Sequence, residues 1–216
     1  MPQIKRQSPV RFKTGPLKAE VRDNWTVALT YRDEGEGPWL VDLCHKTRWD
    51  LQDRNIGAMS VGDQAVPERP GKCSLSNHRL INRMNATRAS ICRLGVGAPD
   101  IPDAPGYTDV TEATLFVALF GPRAFRVAEK LTNLDFMDPT KKTPFLLQGP
   151  FCRLPCQIVI LEKQADGSGG FLLACSRGYS ESMVEAILEA GAEFGLHPAG
   201  EDRFTAWMED LYPKVS

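Results

Sequence analysis

The sequence predicts an α+β fold, with antiparallel or mixed sheets and helices packed against them. Three observations carry this. Residues 113–120 form a continuous apolar run of strand length, and Gly121-Pro122 after it opens a helix, where proline is welcome because a first-turn N–H has no partner. The runs Cys156–Leu161 and Gly170–Cys175 flank the turn sequence Ala165-Asp-Gly-Ser-Gly169 and so form a hairpin. Ser182 and Glu185 have capping-box spacing, Val184, Ile187, Leu188 and Gly191 recur at helical period, and Gly195 sits where a helix end takes a left-handed residue.

The elements follow in order. Residues 1–22 carry Lys5, Arg6, Arg11, Lys13, Lys18 and Arg22 against the single acid Glu20, and Pro2, Pro9 and Pro16 break regular structure, so this segment reads as a basic arm, solvated or laid along a partner. Trp25–Tyr31 is β-rich, Asp33–Pro38 is a turn, and Trp39–Cys44 reads as the returning strand of a hairpin. Residues 60–72 and 95–106, rich in glycine and proline, read as loops. The helix after Gly121 has its apolar stripe in Phe125, Val127, Ala128 and Leu131. The second half therefore runs strand, helix, strand, strand, helix, with no internal repeat.

Composition excludes several classes. The chain has 216 residues, enough for one large domain or two small ones, and its net charge of −1 draws it to neither nucleic acid nor membrane. No apolar run approaches the roughly 20 residues of a membrane span, and Met1–Arg6 lacks the apolar stretch of a signal peptide, so a cytoplasmic location is expected. Six cysteines are then expected as reduced, mostly buried thiols, and the Cys152/Cys156 pair is a poor metal signature without a second pair. No metal site is expected.

Three stretches resemble the glycine-cleavage T-protein family, which includes aminomethyltransferase and the gamma subunit of heterotetrameric sarcosine oxidase. Asp42-Leu-Cys-His-Lys-Thr47 is similar to the family's D-V-S-H-x-G segment. Asp109-Val-Thr-Glu-Ala-Thr-Leu-Phe-Val-Ala-Leu-Phe-Gly-Pro-Arg-Ala124 resembles its D-V-T…A-L-x-G-P-x-A strand-to-helix unit. Ile187-Leu-Glu-Ala-Gly-Ala-Glu-Phe-Gly-Leu-His-Pro-Ala-Gly200 resembles its L-L-x-A-G-x-x-x-G-L-x-P-A-G run. The resemblance implies a folate-binding module over residues 23–205, between the arm at 1–22 and a tail at 206–216, without the C-terminal barrel of full-length aminomethyltransferases.

The departures concern acids. Glu162-Lys-Gln-Ala-Asp-Gly-Ser-Gly stands where the family has G-Y-T-G-E, and Leu172 aligns with the glutamate that gathers the pterin's donors. Leu80-Ile-Asn-Arg83 aligns with the turn whose aspartate handles the reacting folate nitrogen. Asn82 holds a ring by hydrogen bonds but takes no proton, and Arg83 is neither acid nor base near neutral pH. Stand-alone aminomethyltransferase activity is therefore the least favoured reading. The stretch from Arg69 to Pro99 has no Asp or Glu but holds Arg69, Lys72, Arg79, Arg83, Arg88 and Arg93, which reads either as a solvated basic edge or as an anion site. If it is extended, Arg79, Arg83 and Arg93 share a face. Tyr107 and Tyr179 are candidates to stack on a flat ring, or core residues. His45 reads as structural, and Asp42 as a turn cap.

The resemblance implies a tetrahydrofolate-associated subunit of a multisubunit oxidative N-demethylase, of sarcosine-oxidase type, which helps capture the one-carbon unit as methylene-tetrahydrofolate. Asn82, Arg83, Arg79, Arg93 and Tyr107 are its expected cofactor-binding residues. Its expected partners are other subunits of a flavin- or metal-containing oxidase, with Trp25, Trp39, Trp49 and Trp207 among the interface residues. A non-catalytic interaction subunit with a degenerate folate site is the other reading.

Overall fold

The computed structural model describes residues 5–96 and 104–212. The first half holds β1 (Lys18–Arg22), β2 (Trp25–Thr30), β3 (Trp39–Asp42), β4 (Arg48–Gln52), β5 (Ser60–Val61), β6 (Gln64–Ala65), β7 (Cys73–Ser76), β8 (Arg79–Arg83), β9 (Arg88–Arg93) and β10 (Tyr107–Asp109). The second holds β11 (Thr114–Gly121), α1 (Ala124–Glu129), β12 (Phe145–Phe151), β13 (Leu154–Lys163), β14 (Gly169–Ser176), α2 (Ser180–Gly191), β15 (His197–Ala199) and α3 (Glu201–Leu211). The expected α+β class is what forms.

Two open sheets make the frame. A six-stranded sheet has the order β12-β13-β14-β11-β3-β15, and a five-stranded sheet the order β10-β4-β9-β8-β7. Within the larger sheet only β15 runs parallel to its neighbour, β3. Alternation along β14 assigns the layers. Phe171 points to α1, with its ring 6.2 Å from Phe125 and 4.9 Å from Phe136, whereas Leu172 and Ala174 point to the five-stranded sheet. Leu80 and Cys92 of β8 and β9 share one core with Phe116, Leu172 and the helix residues Phe125, Met183 and Ile187. The five-stranded sheet buries its other face too, where Trp49, Leu51, Ile81, Ala89 and Ile91 pack on Ile56, Val61 and Val66 in a second core.

Several expectations change. Trp25–Thr30 and Trp39–Asp42 do not pair; β2 pairs with β1, and β3 enters the six-stranded sheet beside β11. The signal for β1 was masked by the prolines before it. Asp23 and Asn24, with φ of 47° and 68°, form the two-residue turn that a right-twisted hairpin requires. The segment expected as an unstructured arm thus ends in a strand. Strand β12 was missed because Gly149-Pro150 reads as a turn, yet β12 is an edge strand, where proline costs no ladder bond. Cys152 and Arg153 make its left-handed turn to β13, so Cys152 sits in a hairpin loop and Cys156 on a strand. Helix α2 starts at Ser180, so Ser182 lies inside it and the capping box is not used. Gly195 does take the left-handed conformation, with φ of 74°. Residues 60–72 hold the short β5–β6 pair, and the loop at 95–106 lies outside the described residues over 97–103.

The C-terminal segment from 206 is no tail as far as Leu211. It continues α3, and Trp207 stacks on Phe120 at 4.4 Å while its indole N–H donates to Glu162 Oε2 at 2.9 Å. Residues 213–216 of that segment lie outside the described residues. Trp25 and Trp49 are core residues, so of the four tryptophans only Trp39 and Trp207 reach the surface.

Helix α3 is held at its start by a buried carboxylate. Glu201, 2% exposed, meets the guanidinium of Arg22 from β1, the ammonium of Lys46, and His45 Nε2 at 2.9 Å. Burial alone would raise the Glu201 pKa; hydrogen bonds from His45 and Arg22 and the charge of Lys46 outweigh it and hold the acid well below the ordinary range. Burial lowers Lys46, which Glu201 opposes. His45 is structural, and Asp42 caps its turn by accepting the Cys44 N–H at 2.9 Å.

Two outcomes follow. Because the folded pKa of Glu201 is depressed, its stabilisation is complete above about pH 4.3, the ordinary glutamate value, and is lost as pH falls below it. Glu201→Gln should cost about 3 kcal/mol near neutral pH, since it leaves buried cations without their acid, and should flatten the acid limb in urea unfolding followed against pH. Trp207→Ala should cost about 2 kcal/mol by the same measurement; no change would return residues 206–211 to the status of a tail.

Candidate functional site

Between the two sheets lies a cavity of about 180 Å³. The six-stranded sheet lines it with Phe116, Gln157, Val159, Leu172 and Ala174, a mostly apolar wall. The five-stranded sheet lines it with Arg48, Asp50, Leu80, Asn82, Arg88, Ser90 and Cys92. Asn82 and Leu172, two of the positions that the resemblance aligns with family acids, meet here from different sheets.

Strand register explains the polar side. Asp50 pairs with Ser90, and Ser90 pairs with Asn82. Directly opposed residues on adjacent strands point to the same face, so acid, hydroxyl and amide form one row across β4, β9 and β8. Two strand spacings make that row about 10 Å long. Asp50 is 5% exposed and Asn82 2% exposed. Asp50 Oδ1 accepts from Arg88 Nε at 2.5 Å, and Oδ2 accepts from Gln52 Nε2 at 2.8 Å. The Arg88 side chain, 45% exposed, marks the edge at which the cavity meets solvent.

The remaining lining groups are settled or left open in an informative way. The Arg48 guanidinium lies over the Phe116 ring at 4.7 Å and donates to the carbonyls of Leu43, Lys46, Thr111 and Thr114. Burial lowers its pKa, but the ring of carbonyls holds a guanidinium regardless. Burial pushes the Cys92 thiol up to about 11, which removes it as a nucleophile at neutral pH. Four lining residues carry buried polar atoms with no partner among the described residues: Asn82 Oδ1, Thr114 Oγ1, Arg48 Nε and, toward the second core, Trp49 Nε1. Buried polar groups are nearly always satisfied, so such a group marks a place for a ligand or ordered water. Among the described residues Asp50 is the one carboxylate of the lining, and no histidine joins it. The cavity is furnished to bind and orient.

The expected binding set does not converge. Arg79, Arg83 and Arg93 do share a face, but it is the face opposite Asn82. There Arg79 donates to the Val61 carbonyl at 2.6 Å and meets Asp63 at 3.5 Å. Arg83 donates to the carbonyls of Asn85 and Ala86, both at 2.7 Å, closing its own hairpin turn. Tyr107 sits on edge strand β10 against the second core. Arg93 lines a separate small notch with Arg22, His45 and Lys46. A stretch free of acids in sequence is not free of them in space, because Asp50 arrives from β4 and Asp63 from the turn between β5 and β6. Asp50 is the residue that sequence reasoning missed; its signal was a lone acid within Arg48-Trp-Asp-Leu51, a strand otherwise buried on both sides.

No family model matches the chain. Over 92 residues it is 36% identical to an aminomethyltransferase of Geobacillus thermodenitrificans, a match covering 43% of this chain and 24% of that protein. Over 84 residues it is 33% identical to an aminomethyltransferase of Porphyromonas gingivalis, covering 39% of this chain and 22% of that one. The chain thus spans less than a quarter of the length of these relatives. Among solved structures it superimposes on a chain of the heterotetrameric sarcosine oxidase from Corynebacterium sp. U-96 in complex with pyrrole 2-carboxylate, with a TM-score of 0.58 over 72% of this chain and 84% of that one. At 14% identity this likeness is one of fold. In a segment of its sequence and in the fold of most of its length, the chain is T-protein-like.

Proposed function

We propose that this chain is a tetrahydrofolate-associated subunit of a multisubunit oxidative N-demethylase, and that the cavity between its sheets receives the pteridine ring. The observation that carries this reading is the row Asp50–Ser90–Asn82 facing an apolar wall at Phe116, Val159 and Leu172. A flat heterocycle with polar edges needs such a slot: apolar surface against its face and hydrogen-bonding groups along its rim. The residues present fit that ring, since the unpartnered Asn82 Oδ1 and the Asp50 carboxylate both accept.

Size limits what enters. A cavity of about 150 Å³ lined by apolar groups holds one benzene, so the space here suits a ring system and not a whole folate. The p-aminobenzoyl-glutamate portion would run out past the Arg88 edge. Tetrahydrofolate supplies acceptance of a one-carbon unit as methylene-tetrahydrofolate. This chain's own groups hold and orient the ring; neither Asn82 nor Arg48 moves a proton near neutral pH. Oxidation of the N-methyl group then belongs to flavin- or metal-containing partner subunits. The likeness to a chain of a heterotetrameric oxidase supports the subunit part of the reading.

Titration calorimetry with tetrahydrofolate, on the chain alone and on the complex it co-purifies with, tests the proposal. Binding is expected in at least one sample. Asn82→Ala should weaken it about tenfold, the loss of one buried hydrogen bond. Ala174→Phe, which fills the cavity from the apolar side, should abolish it with the fold retained. Absence of heat in both samples would leave a non-catalytic interaction subunit, a reading that the apolar Leu172 favours.

A further inference from the structure

We infer that Asp50 is the specificity-determining residue of this cavity, the acid that recognises a pair of adjacent N–H donors on one edge of a heterocycle. The inference rests on the reading that a pteridine ring enters here, and it names the group that chooses the ring.

The case begins with lone pairs. An ionised carboxylate offers about four acceptor positions. Arg88 Nε and Gln52 Nε2 take one on each oxygen of Asp50, which leaves one on each oxygen. Two free acceptor positions side by side match two parallel donors, the arrangement that makes carboxylate recognition of a planar fork strong and directional. Arg88 and Gln52 are exposed, so they anchor the carboxylate from the solvent side, while Asp50 itself is buried and lines the cavity. The two anchors fix the rotamer of the acid before any ligand arrives, which lowers the cost of ordering it.

Farther along the same row Asn82 Oδ1 is a second unfilled acceptor. The row thus offers acceptors at both ends, with the Ser90 hydroxyl between them, able to donate or accept. That pattern selects a ring with a pair of donors at one edge and a further donor at the far edge. An aminopyrimidinone edge, with its ring N–H beside an exocyclic amino group, is the chemical class that satisfies the Asp50 end. A ring with a carbonyl in place of that amino group sets oxygen against carboxylate and leaves a buried charge poorly paired, which is the costlier fault. The facing strand β14 has no acid to share this task, because Leu172 holds its position there. Asp50 therefore supplies the carboxylate from the opposite sheet.

Pterin and lumazine, which differ in that one group, test this directly. Their binding to the wild-type chain, to Asp50→Asn and to Arg88→Ala is measured by fluorescence quenching, with tetrahydrofolate titrated in parallel and thermal unfolding recorded for each protein. Wild type should prefer pterin by about tenfold to a hundredfold, the range for a hydrogen-bonded pair to a charged group. Asp50→Asn should lose most of that preference, and Arg88→Ala, which leaves the acid in place, should keep it. Equal binding of pterin and lumazine by wild type overturns the inference while tetrahydrofolate binding keeps the folate reading alive, and this comparison needs no variant to fold. A preference that survives in folded Asp50→Asn overturns it as well. Binding of neither pterin nor tetrahydrofolate, by the chain or by the complex it co-purifies with, overturns both.

Discussion

Strand β8 is buried on both faces, and that constraint governs the rest of the molecule's functional geometry. A strand alternates its side chains, so Asn82 and Arg83, adjacent in sequence, serve different interiors. Asn82 enters the space shared with the six-stranded sheet. Arg83 enters the small second core and spends its donors on carbonyls of its own turn. The same alternation in β4 sends Asp50 inward toward the cavity and Trp49 outward to the second core. The cavity is the place where this two-sided sheet carries polar groups on its inner face opposite an apolar wall.

The larger buried charges elsewhere among the described residues have structural partners. Glu201 answers Arg22, Lys46 and His45, and so fastens α3 to the β1 hairpin and to the segment after β3. The Arg48 head group is surrounded by carbonyls. These are structural uses of charge, in which partners offset the cost of leaving water. The row of Asp50, Ser90 and Asn82 differs, because it retains acceptor capacity that no side chain among the described residues fills, next to an open cavity. Free acceptor capacity beside an apolar wall is the signature of a ligand slot rather than of a packed core.

Much of the second half of the fold, though not β12 or α3, was legible because its signals are local. Residues 115–120 are apolar without interruption, and Asp166-Gly167 turns β13 into β14, so strand, hairpin and following helix could be placed from neighbouring residues alone. The first half was not, because its pairing is set by partners far along the chain. β3 leaves the hairpin that Trp25–Tyr31 seemed to offer and pairs with β11, more than seventy residues on. The candidate site was legible only in part for the same reason. Asn82 and Arg83 both follow from the aligned turn; Asn82 lines the cavity, whereas Arg83 points to the other face. Arg79 and Tyr107 stand out by charge and ring chemistry, yet register puts them behind the sheet, and Asp50 gains its place from the pairing of β4 with β9.

The central claim is that a folate ring enters the space between the sheets and not the arginine-bearing face behind them. Backbone amide spectra of the isotope-labelled chain, recorded during titration with tetrahydrofolate, separate the two faces of one sheet. Entry between the sheets predicts that the largest changes fall on Asn82, Ser90, Gln157 and Leu172, which come from both sheets and share only the cavity. Changes confined to Arg79, Arg83 and Tyr107, with the cavity residues still, would contradict it.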